Sequence, residues 1–272
     1  MIHQIIPIQV EGSLPDTKLV TYIQEDSDSL MIRKRPLILI CPGGGYGFTS
    51  DREAESMALQ FLAMGYHAAV LRYSYEPARY PTALLEVAKS VILLRENASK
   101  WHIDENKIAV QGCSAGGHLA ASFGMFWKQD FVREQLGRQD IDVNLLKPNG
   151  LILCYPVITS GEFAHQGSFE NLLGEEGAHL RDKLSLETQV TKDVPPTFLW
   201  HTYEDQAVPV ENSLLLVCAL RKQGIPTEFH MYPKGGHGLS LANHLTQSPD
   251  GSGVQLECQT WISLVHTWME GI

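Results

Sequence analysis

Apolar residues in this chain come in two spacings. Short apolar runs recur at residues 36–41, 67–73, 107–111, 150–156, 196–201 and 227–232, each bounded by glycine, proline or polar residues. Runs of that length and bounding read as strands buried on both faces of a sheet. Between them lie stretches of helical period at 51–64, 82–99, 117–127 and 210–223, with a last one at 255–269. Gly65 and Gly224 follow two of these stretches, where a helix C-terminus favours glycine. Residues 1–9 alternate weakly, as an edge strand does, and residues 17–24 alternate more clearly and read as a second strand. Strand and helix in alternation predict a mostly parallel, twisted α/β sheet of about eight strands, covered by helices on both faces. Residues 157–194 hold no convincing strand. They are expected to form a small cap-like insertion over one end of the sheet, within a single domain spanning 1–272.

The most informative stretch is Gly112-Cys113-Ser114-Ala115-Gly116, set between the strand at 107–111 and the helix that follows. Strand, Gly-x-Ser-x-Gly, helix is the layout that exposes a serine on a tight, strained turn. The helix N-terminus directs positive partial charge toward an oxyanion formed beside that serine. A capping serine is the plainer reading of the pentapeptide, and the rest of the chain decides between the two. The run Pro42-Gly43-Gly44-Gly45-Tyr46-Gly47 closes the strand at 36–41. It lacks the Gly-Lys-Ser/Thr ending of a phosphate loop, and the next strand ends in Arg72-Tyr73, not in the acidic residue of a dinucleotide site. An oxyanion loop, whose exposed N–H groups face the nucleophile, and a plain glycine-rich turn remain.

A serine nucleophile needs a base, and the base needs an orienting acid. Two later loops carry them. Tyr203-Glu204-Asp205-Gln206 follows the strand at 196–201, and Lys234-Gly235-Gly236-His237-Gly238 follows the strand at 227–232. His237 is the expected base. Of the adjacent carboxylates Asp205 is the expected acid, because Val208-Pro209 and a helix come after it. His201, at the end of its strand, lies close to this acid loop. His201 and Asp205 are zinc ligands by type, but no third ligand is spaced to join them, so neither metal nor cofactor is expected.

Net charge is −10, which argues against nucleic acid or an anionic membrane as partner. No apolar run is long enough to span a bilayer. The five cysteines, at 41, 113, 154, 218 and 258, form neither a Cys-x-x-Cys pair nor a disulfide framework. The N-terminal residues show no signal peptide, and a reduced, cytoplasmic protein is expected.

These stretches together resemble the esterase/lipase branch of the α/β-hydrolase superfamily, and more narrowly the bacterial acetyl esterases described as acetyl-xylan-esterase-like. The resemblance is carried by Pro42-Gly43-Gly44-Gly45-Tyr46, Trp101-His102-Ile103-Asp104, Gly112 to His118, Asn171-Leu172-Leu173-Gly174, Pro195 to Thr202, Asp205 with Val208-Pro209, and Gly236-His237-Gly238. It covers roughly residues 36–270. It implies an α/β-hydrolase fold with Ser114 as nucleophile, His237 as general base and acid, and Asp205 as its orienter. The oxyanion hole implied is the N–H of Ala115 with those of Gly44 and Gly45. One departure stands out: related esterases often have histidine before the glycines, where this chain has Pro42.

The activity implied is hydrolysis of short-chain acyl esters, acetylated sugars among them; an amidase, peptidase or arylformamidase-like enzyme on the same residues is the alternative. Tyr46 and Trp200 are expected to close the substrate pocket. The expected partner is a small-molecule ester, and a homodimer is left open.

Overall fold

The computed structural model describes all 272 residues. In chain order the elements are β1 (Ile5–Pro7), β2 (Lys18–Tyr22), β3 (Arg35–Cys41), α1 (Glu55–Ala63), β4 (His67–Arg72), α2 (Thr82–Glu96), α3 (Ala98–Trp101) and β5 (Ile103–Cys113). Then come α4 (Ala115–Phe126), α5 (Asp130–Gln135), β6 (Gly150–Cys154), α6 (Gln166–Leu173), β7 (Thr197–Thr202), α7 (Glu211–Gln223), β8 (Thr227–Tyr232) and α8 (Trp261–Glu270). The strands form one eight-stranded sheet in the order β1-β2-β4-β3-β5-β6-β7-β8. β3 to β8 run parallel, and the β1–β2 and β2–β4 pairs are antiparallel.

The sheet separates two cores, and β3 supplies both. Leu37, Leu39 and Cys41 face a core shared with α2, α4 and α7, while Ile38 and Ile40 face one shared with α1 and α8. Alternate side chains of a strand point to opposite faces, so a strand covered on both sides must be apolar at every position. That is why the sequence runs Leu-Ile-Leu-Ile with no polar gap.

Several boundaries differ from expectation. The helix expected over 51–64 is a 3-10 turn at Asp51–Glu53 followed by α1, broken at Ala54, whose ψ of −103° is not helical. The helix expected over 82–99 is split into α2 and α3 at Asn97. β5 begins at Ile103, four residues ahead of its apolar stretch, because Arg35 pairs with Ile103 before the register shifts. Residues 157–194 form no strand; they hold α6 and three 3-10 turns.

Candidate active site

The β5–α4 turn sets the serine. Ser114 has φ 54° and ψ −119°, a conformation costly for a residue with a side chain, of order 1–3 kcal/mol. The surrounding backbone holds it there. Its N–H donates to the Cys154 carbonyl at 3.0 Å, and its carbonyl accepts from His118 and Val157 at 3.1 Å each. The turn is too close for side chains at its flanks. A Cβ on Gly112 would stand 2.0 Å from the Gly116 oxygen, and one on Gly116 would stand 2.1 Å from the Cys41 oxygen.

Three residues from three strand ends meet here. Ser114 Oγ and His237 Nε2 are 2.7 Å apart, and His237 Nδ1 and Asp205 Oδ2 are 2.7 Å apart. The carboxylate accepts at Nδ1, so Nδ1 carries the proton and Nε2 is free to accept the serine hydroxyl. Asp205 Oδ1 accepts the N–H groups of Ala207 and Val208 at 3.0 and 2.9 Å. Burial works to raise the Asp205 pKa, but hydrogen bonds from His201 and His237, the charge of His237 and the Val208 N–H outweigh it. The carboxyl is held well below the usual range and stays ionised. The neighbouring Glu204 is exposed and accepts only the Gly235 N–H, at 3.3 Å.

His201 is fully buried behind the acid. Its Nε2–H donates to the Val208 carbonyl at 2.9 Å and stands 3.3 Å from Asp205 Oδ2, while Nδ1 accepts from Ser213 Oγ at 2.8 Å. Both ring nitrogens are thus engaged by protein, which leaves no lone pair for a metal.

The glycine loop after β3 lies alongside. The N–H of Gly43 is taken by Glu53 Oε2 at 2.8 Å. Those of Gly44, Gly45 and Ala115 donate to no protein group. Gly44 has φ +133°, and a Cβ there would meet the Phe48 carbonyl oxygen at 2.1 Å, so the loop shape requires glycine.

Two expectations are corrected. Tyr46 is 2% exposed and its hydroxyl donates to His118 Nδ1 at 3.0 Å, so it packs into the core and offers almost no surface to substrate. Trp200 is fully buried, stacked on Trp261 with centroids 5.4 Å apart. β7 alternation turns it to the face that α8 covers, away from solvent.

Sequence reading missed Glu53, Tyr155 and His165. The buried Glu53 Oε1 accepts the Tyr155 hydroxyl at 2.7 Å, and that hydroxyl oxygen accepts the Ser240 N–H at 2.9 Å. The Tyr155 ring packs edge-on against His237, centroids 5.2 Å apart. A hollow of about 610 Å³ between Glu11–Leu14 and Pro77–Thr82 includes none of Ser114, Asp205 and His237.

Solved structures share this architecture. An acetyl ester-xyloside bifunctional hydrolase from Caldicellulosiruptor lactoaceticus is 37% identical, with TM-score 0.83 over 98% of this chain and 96% of that one. The carboxylesterase Cest-2923 from Lactobacillus plantarum is 27% identical, with TM-score 0.86 over 100% and 98%. The sheet order and these neighbours define an α/β-hydrolase on the esterase branch. Within that class, residues 28–220 match the BD-FAE family, and the chain belongs to it.

Among curated proteins it is 38% identical over 240 residues to endo-1,4-beta-xylanase B of Butyrivibrio fibrisolvens, covering 85% of this chain and 36% of that protein. It is 28% identical over 207 residues to the acetylxylan esterase of Xylanibacter ruminicola, covering 74% and 40%. The chain therefore spans well under half the length of these two relatives.

Proposed function

We propose that this protein is a serine carboxylesterase that removes short acyl groups, acetyl above all, from sugar esters. The observation that carries the reading is the unbroken hydrogen-bond chain from Ser114 through His237 to Asp205, beside three backbone N–H groups without partners. Ser114 Oγ attacks the ester carbonyl carbon while His237 Nε2 takes its proton. The carbonyl electron pair moves to oxygen, and the N–H groups of Ala115, Gly44 and Gly45 receive the oxyanion. Collapse expels the alcohol, protonated by His237, and leaves an acyl-enzyme. Water then repeats the sequence, with His237 as base again, and releases the acid. Asp205 keeps the imidazole in the required tautomer and stabilises its cation.

The sugar part of the reading is supported by relatives whose own names carry acetyl xylan and xyloside. The five free thiols fit a reducing compartment, and the cytoplasm belongs to the proposal on that ground. The test is acetate release from acetylated xylo-oligosaccharides. Release at rates comparable to those on p-nitrophenyl acetate supports the reading. Hydrolysis of amides in preference to both would replace it.

A further inference from the structure

The insertion brings a second histidine to the catalytic rim. His165 is the residue before α6, and its Nδ1 accepts the Ser168 N–H at 3.3 Å and pairs with Ser168 Oγ at 2.8 Å. A ring nitrogen that accepts an amide N–H carries no proton of its own, so the neutral ring bears its hydrogen on Nε2. That Nε2–H has no protein partner. Burial, and then the neighbouring His237, push the His165 pKa down, which favours the neutral ring.

The position is fixed against the oxyanion loop. A Cβ on Gly45 would stand 3.9 Å from His165 Cε1 and 3.8 Å from Ser168 Oγ. Cε1 is bonded to both ring nitrogens, so the free Nε2–H belongs to the same rim. Asn171 of α6 clasps the loop, donating from Nδ2 to the Gly45 carbonyl at 2.9 Å.

An acetyl group has one hydrogen-bonding atom, its carbonyl oxygen, and three backbone donors are already available to it. Any further donor at this rim serves the alcohol half of the ester. A sugar offers hydroxyl and ring oxygens there; an aryl alcohol offers no hydroxyl beside the ester.

We propose that His165 is a substrate-binding residue whose Nε2–H donates to a hydroxyl or ring oxygen of the sugar in an acetylated carbohydrate held at Ser114. The assignment rests on the esterase reading above. It makes the insertion a selector of the alcohol.

The test compares wild type with His165→Asn on p-nitrophenyl acetate and on an acetylated methyl xyloside. Asparagine is a good N-cap and preserves the turn into α6, but its short amide does not reach as Nε2 does. The melting temperature is expected to stay near wild type. For the xyloside, kcat/KM is expected to fall about tenfold, the worth of one hydrogen bond, mainly through KM. For p-nitrophenyl acetate it is expected to stay within about twofold, since the acyl half is untouched. Equal losses on both substrates, or no loss on either, overturn the assignment of His165 and leave the esterase reading standing. A wild-type protein that hydrolyses p-nitrophenyl acetate but not the xyloside overturns the sugar reading, and the His165 proposal with it.

Discussion

Glu53 and Tyr155 stand 102 residues apart in the chain and meet in the core, where the tyrosine hydroxyl donates to Glu53 Oε1 at 2.7 Å. The other carboxyl oxygen holds the Gly43 N–H, and the Tyr155 oxygen holds the Ser240 N–H. Two buried side chains in series, Glu53 and Tyr155, thus tie the glycine loop to the segment that follows His237. Glu53 also occupies the Gly43 N–H, whereas those of Gly44 and Gly45, the loop donors of the proposed oxyanion hole, have no protein partner.

Glu53→Gln tests this clamp. The amide oxygen can still accept from Gly43, but its NH2 group then faces a tyrosine oxygen that already accepts from Ser240. The Tyr155 O–H loses its acceptor. A buried unsatisfied group costs about 1–3 kcal/mol, so chemical denaturation is expected to show a loss in that range. kcat is expected to fall more than KM rises, because both loops that serve the reaction shift together. Unchanged stability and kcat would show that the clamp is idle.

The two adjacent carboxylates are predicted to separate sharply. Asp205→Asn removes the charge that orients and stabilises the His237 ring, and kcat is expected to fall on the order of 10⁴-fold. Glu204→Gln alters an exposed group with one long hydrogen bond, and only a few-fold change is expected. Steady-state kinetics on p-nitrophenyl acetate decide it, and a reversed order would reassign the acid.

Buried histidines predict a particular acid sensitivity. Burial pushes the pKa values of His67 and His118 down to about 4. His118 is fixed as a neutral ring by Tyr46 and the Leu184 carbonyl, 3.0 Å from each. Between the unfolded value of about 6.5 and the folded value, the unfolded chain binds the extra proton. Stability is therefore full above about pH 6.5 and falls on acidification by up to about 1.4 kcal/mol per pH unit for each histidine. Urea denaturation between pH 7 and 4.5 measures the slope. His118→Gln should be less stable at pH 7 and should show a shallower slope; a slope equal to wild type would contradict the account of His118.

Acyl-chain length is predicted from the packing beside Ser114. Val157 and His118, whose N–H groups hold the Ser114 carbonyl, pack with Tyr46, Ser168, Phe169 and Leu172 so closely that no space for even a water is left among them. Each methylene that finds apolar room gains about 0.8 kcal/mol, and one that does not costs strain. kcat/KM on p-nitrophenyl esters should be highest from acetate to butyrate and fall steeply by octanoate. A preference for octanoate would require an acyl channel that these side chains do not leave.

What could be read from the sequence follows how local each signal is. The strand Leu37-Ile38-Leu39-Ile40 and the turn at Ser114 announce themselves within a few residues, because burial on both faces and a crowded turn dictate residue types directly. His237 stands out as a histidine between glycines. Tyr46, in the glycine loop, and Trp200, in β7, are aromatics whose type fits pocket and core equally; the packing against His118 buries the first and the cover supplied by α8 the second. Glu53 lay hidden in what reads as an ordinary amphipathic helix, since its partners Gly43 and Tyr155 lie 10 and 102 residues away. His165 gave no signal, as its tautomer depends on how the chain turns at Ser168.

In the proposed reaction Ser114 attacks the ester and carries the acyl group. A p-nitrophenyl phosphonate, followed by intact-protein mass and peptide mapping, tests it most directly. One adduct per chain is expected, on the peptide containing Ser114, with loss of activity in step with labelling. Ser114→Ala should keep its fold, take no label and lose at least about 10⁴-fold in kcat. A stoichiometric adduct on another residue, or full activity with Ser114 labelled, would contradict it.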